Sequence, residues 1–112
     1  MPSVMIARGN TAGANAPVWQ QYPGGSGVFI DVDTSYAGFP PDSVPTYTTA
    51  LLGTTGHWDT AGATSLYELP TTPWSRGFRV YVKRPDGRPL SPQEARDSGW
   101  FICWVGINLK LS

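Results

Sequence analysis

The stretch "GFRVYVKRPDGR", residues 77–88, decides the fold. Phe78, Val80 and Val82 alternate with Arg79, Tyr81 and Lys83. A period of two puts the first set on one face and the second on the other, which makes a half-buried strand. Pro85-Asp86-Gly87 then supplies a turn that reverses the chain. The same alternation recurs upstream in "GVFIDVD", residues 27–33. There Val28, Ile30 and Val32 face one way, and Phe29, Asp31 and Asp33 face the other. Asp31 stands out as an acid in mid-strand. It is either solvated or paired with an arginine, such as Arg79, on a neighbouring strand or subunit.

Working outward, "TYTTALLG" reads as a second strand, rich in the Thr and Tyr that suit a pleated surface. "ATSLYELP", residues 63–70, reads as a third, ending at Pro70. The only helix signal is "SPQEARDSG". Ser91 is the N-cap, Pro92 takes the first helical position, Glu94 completes a capping box, and Gly99 stops the helix. "WFICWVGINLKL" closes the chain as a long apolar strand. Trp100, Ile102 and Trp104 line one side; Phe101, Cys103 and Val105 line the other. Apolar residues on both sides predict a strand covered on both, either inside a sandwich or at a subunit interface. Residues 1–26 are weakly patterned, although "SVMIARG" has the makings of a short strand. This segment carries Trp19 and Tyr22 and is expected to form an arm that packs on its own or a neighbouring subunit. Residues 27–112 form the domain proper.

Composition agrees. A chain of 112 residues with 13 glycines and 11 prolines suits one domain of short strands and turns. The expectation is an all-β fold: a small antiparallel β-sandwich with one short helix before the last strand. Eight basic and eight acidic residues balance, leaving little field to gather phosphates or anionic lipid. No nucleic-acid or membrane partner is therefore expected. The single cysteine, Cys103, rules out an intramolecular disulfide and reads as a small buried hydrophobe. The first residues lack the apolar core of a signal peptide.

Catalysis has little to stand on. Val32-Asp33-Thr34-Ser35 resembles the active-site triplet of dimeric, retroviral-type aspartic proteases. Tyr36 departs from the small residue usual there, and a flap region is not evident. The other reading of Asp33 is a strand-exit turn. His57, the sole histidine, has no nucleophile elbow beside it and no metal-ligand spacing. The chain is expected to be no enzyme and to need no cofactor or metal.

Binding is better represented. "GHWDTAG", residues 56–62, sets His57, Trp58, Asp59 and Thr60 between glycines. An indole covers the C–H face of a sugar, and carboxylates or hydroxyls bond its rim. The competing use is structural, with Trp58 packing the loop and Asp59 capping a turn. Trp74 and Arg76, in "PTTPWSRG", form a second aromatic-polar loop that would share such a site or sit at an interface.

The order of "GFPPDSVPTY" (38–47), "GFRVYV" (77–82) and "GWFICWVGI" (99–107) resembles the H-type lectins. The resemblance implies a six-stranded β-sandwich, a trimer and binding of galactose-type sugars. The "SPQEARDSG" helix is an insertion relative to that pattern. Phage tail-fibre and decoration modules are also similar: short, rich in Gly, Thr and aromatics, poor in cysteine and oligomeric. The functional expectation is a lectin-like module acting as a homo-oligomer, outside the cell or on a virion. The alternative is a structural or receptor-binding module of a virion or surface assembly.

Overall fold

The computed structural model describes residues 3–13 and 16–110, which form an all-β, sandwich-like domain of two antiparallel sheets. In chain order the strands are β1 (Ser3–Asn10), β2 (Gln20–Gln21), β3 (Gly27–Asp33), β4 (Thr46–Leu52), β5 (Leu66–Tyr67), β6 (Gly77–Lys83) and β7 (Phe101–Lys110). The helix α1 is Pro92–Asp97. One sheet has the order β1-β7-β4 and the other β2-β3-β6-β5.

The alternating strands bury the faces their sequences dictate. Val28, Ile30 and Val32 of β3 and Phe78, Val80 and Val82 of β6 all point into the core. Ile102 and Trp104 of β7 meet them from the other sheet, with Trp100 just before the strand. Helix α1 is capped as its sequence requires. The Ser91 side chain accepts from the Glu94 amide, and the Glu94 carboxylate accepts from the Ser91 amide. Gly99, at φ +67°, takes the left-handed position just past the C-cap.

An aromatic seam joins the sheets. The Tyr47 ring lies 4.7 Å from that of Phe78, and meets Trp104 edge-on at 5.9 Å and Phe39 at 6.1 Å, centroid to centroid. Its hydroxyl donates to the Trp74 carbonyl at 2.6 Å. That uses its one proton, so the Thr34 hydroxyl must donate to it across 2.8 Å. Gly106 makes room for this seam in the central strand. A Cβ there would sit about 3.0 Å from both Phe39 and Tyr47 ring atoms.

Three features refine the sequence expectations. Residues of the N-terminal segment 1–26 are strands of both sheets: β1 pairs with β7 along its whole length, and β2 pairs with β3. Trp19 is buried, and its indole N–H donates to the Trp100 carbonyl at 3.0 Å. The third strand shrinks to Leu66–Tyr67. The residues before it are spent on a turn, in which Ser65 N donates to Gly62 O and the Thr49 hydroxyl donates to Ala63 O. Within one chain the last strand is covered on one side only. As the middle strand of its sheet, β7 is hydrogen-bonded along both edges, yet Val105, Ile107 and Leu109 face outward and stay exposed.

Replacing Tyr47 by Phe keeps the ring and removes the hydroxyl. Thr34 is fully buried and would lose its partner, as would the Trp74 carbonyl. Urea denaturation should show a loss of about 2 kcal/mol, the usual scale for polar groups left without partners.

Candidate binding site

The outer face of the four-stranded sheet carries an aromatic cleft. The sheet order brings three tyrosines together from separate parts of the chain: Tyr22 after β2, Tyr67 in β5 and Tyr81 in β6. Tyr81 stands in the middle. Tyr22 and Tyr67 meet it edge-on, at centroid distances of 5.5 and 4.8 Å, and Phe29 leans on it at 5.5 Å. The cleft holds about 500 Å³, and Ser26, Ser65 and Lys83 add polar groups to its lining. Tyr22 and Tyr67 remain 44% and 54% exposed, so much of each ring is free to meet a ligand.

An ion pair braces the face beside the cleft. Asp31 and Arg79 are directly opposed in the β3–β6 register. Arg79 Nε donates to Asp31 Oδ1 at 2.6 Å, and Nη2 donates to Oδ2 at 3.0 Å. The mid-strand acid thus has its arginine on the neighbouring strand of the same chain. The guanidinium also lies 4.4 Å from the Phe29 ring centroid and donates to the Tyr81 hydroxyl at 3.4 Å. The carboxylate and the phenol hold Arg79 still more firmly protonated than an ordinary arginine.

The six residues singled out from the sequence divide into two groups. His57, Trp58 and Asp59 form a single 3-10 turn, followed by Thr60. Ala61, the next residue, lines the cleft and bridges to Lys83 at the end of β6. Within the turn most polar groups are already engaged. Thr60 Oγ1 donates to the His57 carbonyl at 2.6 Å, and Asp59 is ion-paired with Arg88 at 3.2 Å. The His57 ring is half-buried, and its Nδ1 lies close to Gly53 without a hydrogen-bond partner. The Trp58 indole is presented to solvent, at 86% exposure.

Trp74 and Arg76 belong to the opposite end. Arg76 immediately precedes Gly77, the first residue of β6, and its carbonyl accepts from Thr34. A seven-residue strand spans about 20 Å. The two loops therefore cannot share one small-ligand site. Trp74 is half-buried against the core.

Asp33 lies at that same far end. Its Oδ1 accepts from the Ser35 amide at 2.8 Å, closing a turn at the exit of β3. The Ser35 hydrogen bonds, with a smaller contribution from Arg76, hold its carboxyl below the usual carboxylate range. Among the described residues no group of three or more His, Cys, Asp or Glu is placed to hold a metal ion. No helix among them is long and apolar enough to cross a membrane.

The residues of the tyrosine cleft are distant in the chain, so no local motif marks it. Its signal was present in the alternation: Phe29 and Tyr81 fall on the faces of β3 and β6 that should be polar.

Two outcomes follow from this geometry. A Cβ at Gly62, where φ is +105°, would run into the Tyr81 carbonyl. Gly62→Ala should cost about 2 kcal/mol in thermal or urea denaturation, the scale of a strained backbone position. The second concerns acid. Because the folded-state pKa of Asp33 is depressed, its contribution is present above the ordinary carboxylate pKa of about 4. It is lost as pH falls through the folded value. Wild type should therefore be more stable than Asp33→Asn at pH 7, and the gap should narrow as pH is lowered below the ordinary carboxylate pKa in parallel urea melts.

No family model, curated protein or solved structure matches this chain.

Proposed function

We propose that this chain is a non-catalytic glycan-binding module that works as a homo-oligomer. The observation that carries the reading is the cleft of Tyr22, Tyr67 and Tyr81. Its volume of about 500 Å³ is in the range that encloses a small ligand such as a mono- or disaccharide. Phenol rings stack on the C–H faces of a pyranose, while Ser26, Ser65 and Lys83 offer hydroxyl and ammonium groups to its rim. Trp58, in the loop that leads into the cleft, adds an exposed indole for a longer glycan. Trp74 and Arg76 are left out of this site because they lie at the far end of β6.

A single shallow site of this kind binds weakly, and several copies presented together multiply the strength. The H-type lectin resemblance implies three copies. Glycans of this kind are displayed at surfaces, which places the work outside the cell or on a virion. A second reading, a structural module of a virion or surface assembly, is favoured by the open apolar face of the β1-β7-β4 sheet.

A glycan array separates the two. The wild type should bind a defined set of sugars. Tyr67→Ala and Tyr81→Ala should each weaken binding about five- to ten-fold, as expected for losing a stacked ring. Trp58→Ala should weaken it only for extended glycans. An array on which the native protein binds nothing would overturn the glycan reading in favour of the structural one.

A further inference from the structure

We infer that the outer face of the β1-β7-β4 sheet is buried against a second copy of this chain. This deepens, and rests on, the homo-oligomer part of the proposed function; it does not depend on the sugar. The register places Val4 beside Leu109 and Ile6 beside Ile107, with Val105 next along β7. These side chains make one continuous stripe. They are 62% and 56%, 71% and 44%, and 38% exposed, in that order. Arg8, opposite Val105, is the only charged residue on this face among those described.

The stripe is a specific feature of this sheet rather than a by-product of strand propensity. β4 serves the same face with Thr46 and Thr48, β-branched residues that tolerate water. The outer face of the other sheet carries the Asp31–Arg79 pair. An antiparallel sheet with one solvated face ordinarily alternates apolar and polar residues, as β3 and β6 do around that pair. β1 and β7 instead present Val, Ile and Leu on the side away from the core.

Charge argues for another copy as the occupant. The formal net charge of the chain is zero, so two copies meet without mutual repulsion. The molecule is also elongated, at 50 × 25 × 24 Å with a radius of gyration of 14.8 Å against the ~13 Å of a compact domain of this length, which leaves a long side open to a partner. A nearly uncharged face suits self-association, since it brings no like charges together beyond Arg8. The tyrosine cleft opens on the other sheet, so burying this face leaves the cleft of every copy accessible.

Light scattering over a concentration series tests the inference. The wild type should run at a multiple of 12.1 kDa. Ile6→Lys should shift it to the single-chain mass, or raise the concentration needed for assembly at least ten-fold. Ile6→Thr, which keeps a β-branched residue, should give a smaller shift the same way. Circular dichroism on each variant verifies the fold. Titration with a monovalent sugar found on the array should give unchanged affinity per site, while retention on a glycan-coated surface falls. A wild type that stays at single-chain mass up to about 100 µM would overturn the interface and leave the cleft standing. So would variants that fold and assemble like wild type. Assembly lost through Ile6→Lys in a protein that binds no glycan would support the interface and remove the glycan reading instead.

Discussion

The fold depends on one tyrosine whose two ends do different work. The Tyr47 ring is wedged among Phe39, Phe78 and Trp104, so it belongs to the apolar contact between the sheets. Its hydroxyl ties the Trp74 carbonyl to the Thr34 side chain, so it also fixes the loops that leave β3 and enter β6. Dispersion between rings sets the spacing of the layers, and a directional pair of hydrogen bonds sets their register at that end. At the opposite end the same division is made by Trp19 and Trp100. Trp19 is buried with its N–H on the Trp100 carbonyl, and the Trp100 indole donates in turn to the Thr55 carbonyl at 2.7 Å. The sandwich is thus pinned at both ends by aromatic residues with a polar tip.

With the layers fixed, the two outer faces are free to differ. One gathers tyrosines around a braced ion pair. The bidentate, partly buried Asp31–Arg79 contact pins the guanidinium over Phe29 and keeps the floor beside Tyr81 in place. The other carries the apolar stripe of Val4, Ile6, Val105, Ile107 and Leu109 with a single charge, Arg8, beside it among the described residues. A ligand site needs a concave surface with a few fixed polar groups, and a subunit contact needs breadth without charge. The two sheets divide these requirements between them.

Much of the fold was legible because it obeys short periods. Val28, Ile30 and Val32, and Phe78, Val80 and Val82, declare their face at a spacing of two, and the cap of α1 is written in four consecutive residues. β1 was harder to read, because its partner lies at the other end of the chain and its apolar residues fall on both faces: Met5 and Ala7 pack on the core while Val4 and Ile6 point outward. The site was the least legible part. His57 to Thr60 look like a constellation because they are adjacent, yet most of their polar groups are already engaged: the Thr60 hydroxyl is spent on the His57 carbonyl, and Asp59 on Arg88 from a distant turn. Tyr22, Tyr67 and Tyr81 converge only through the order of strands in the sheet.

The pairing of β1 with β7 has a consequence for how the chain reaches this state. The register runs from Ser3↔Lys110 to Asn10↔Cys103, so the contact joins segments separated by most of the polypeptide. Closing a flexible loop of that length costs about 4 kcal/mol of chain entropy before any ladder bond repays it. On a ribosome, β1 must wait for the last strand to emerge, whereas β3 and β6 find each other earlier. During that interval Met5 and Ala7 have no core to cover them, and Val4 and Ile6 stand open beside them. The sheet dominated by this long-range pairing should thus be the slow and aggregation-exposed half of folding.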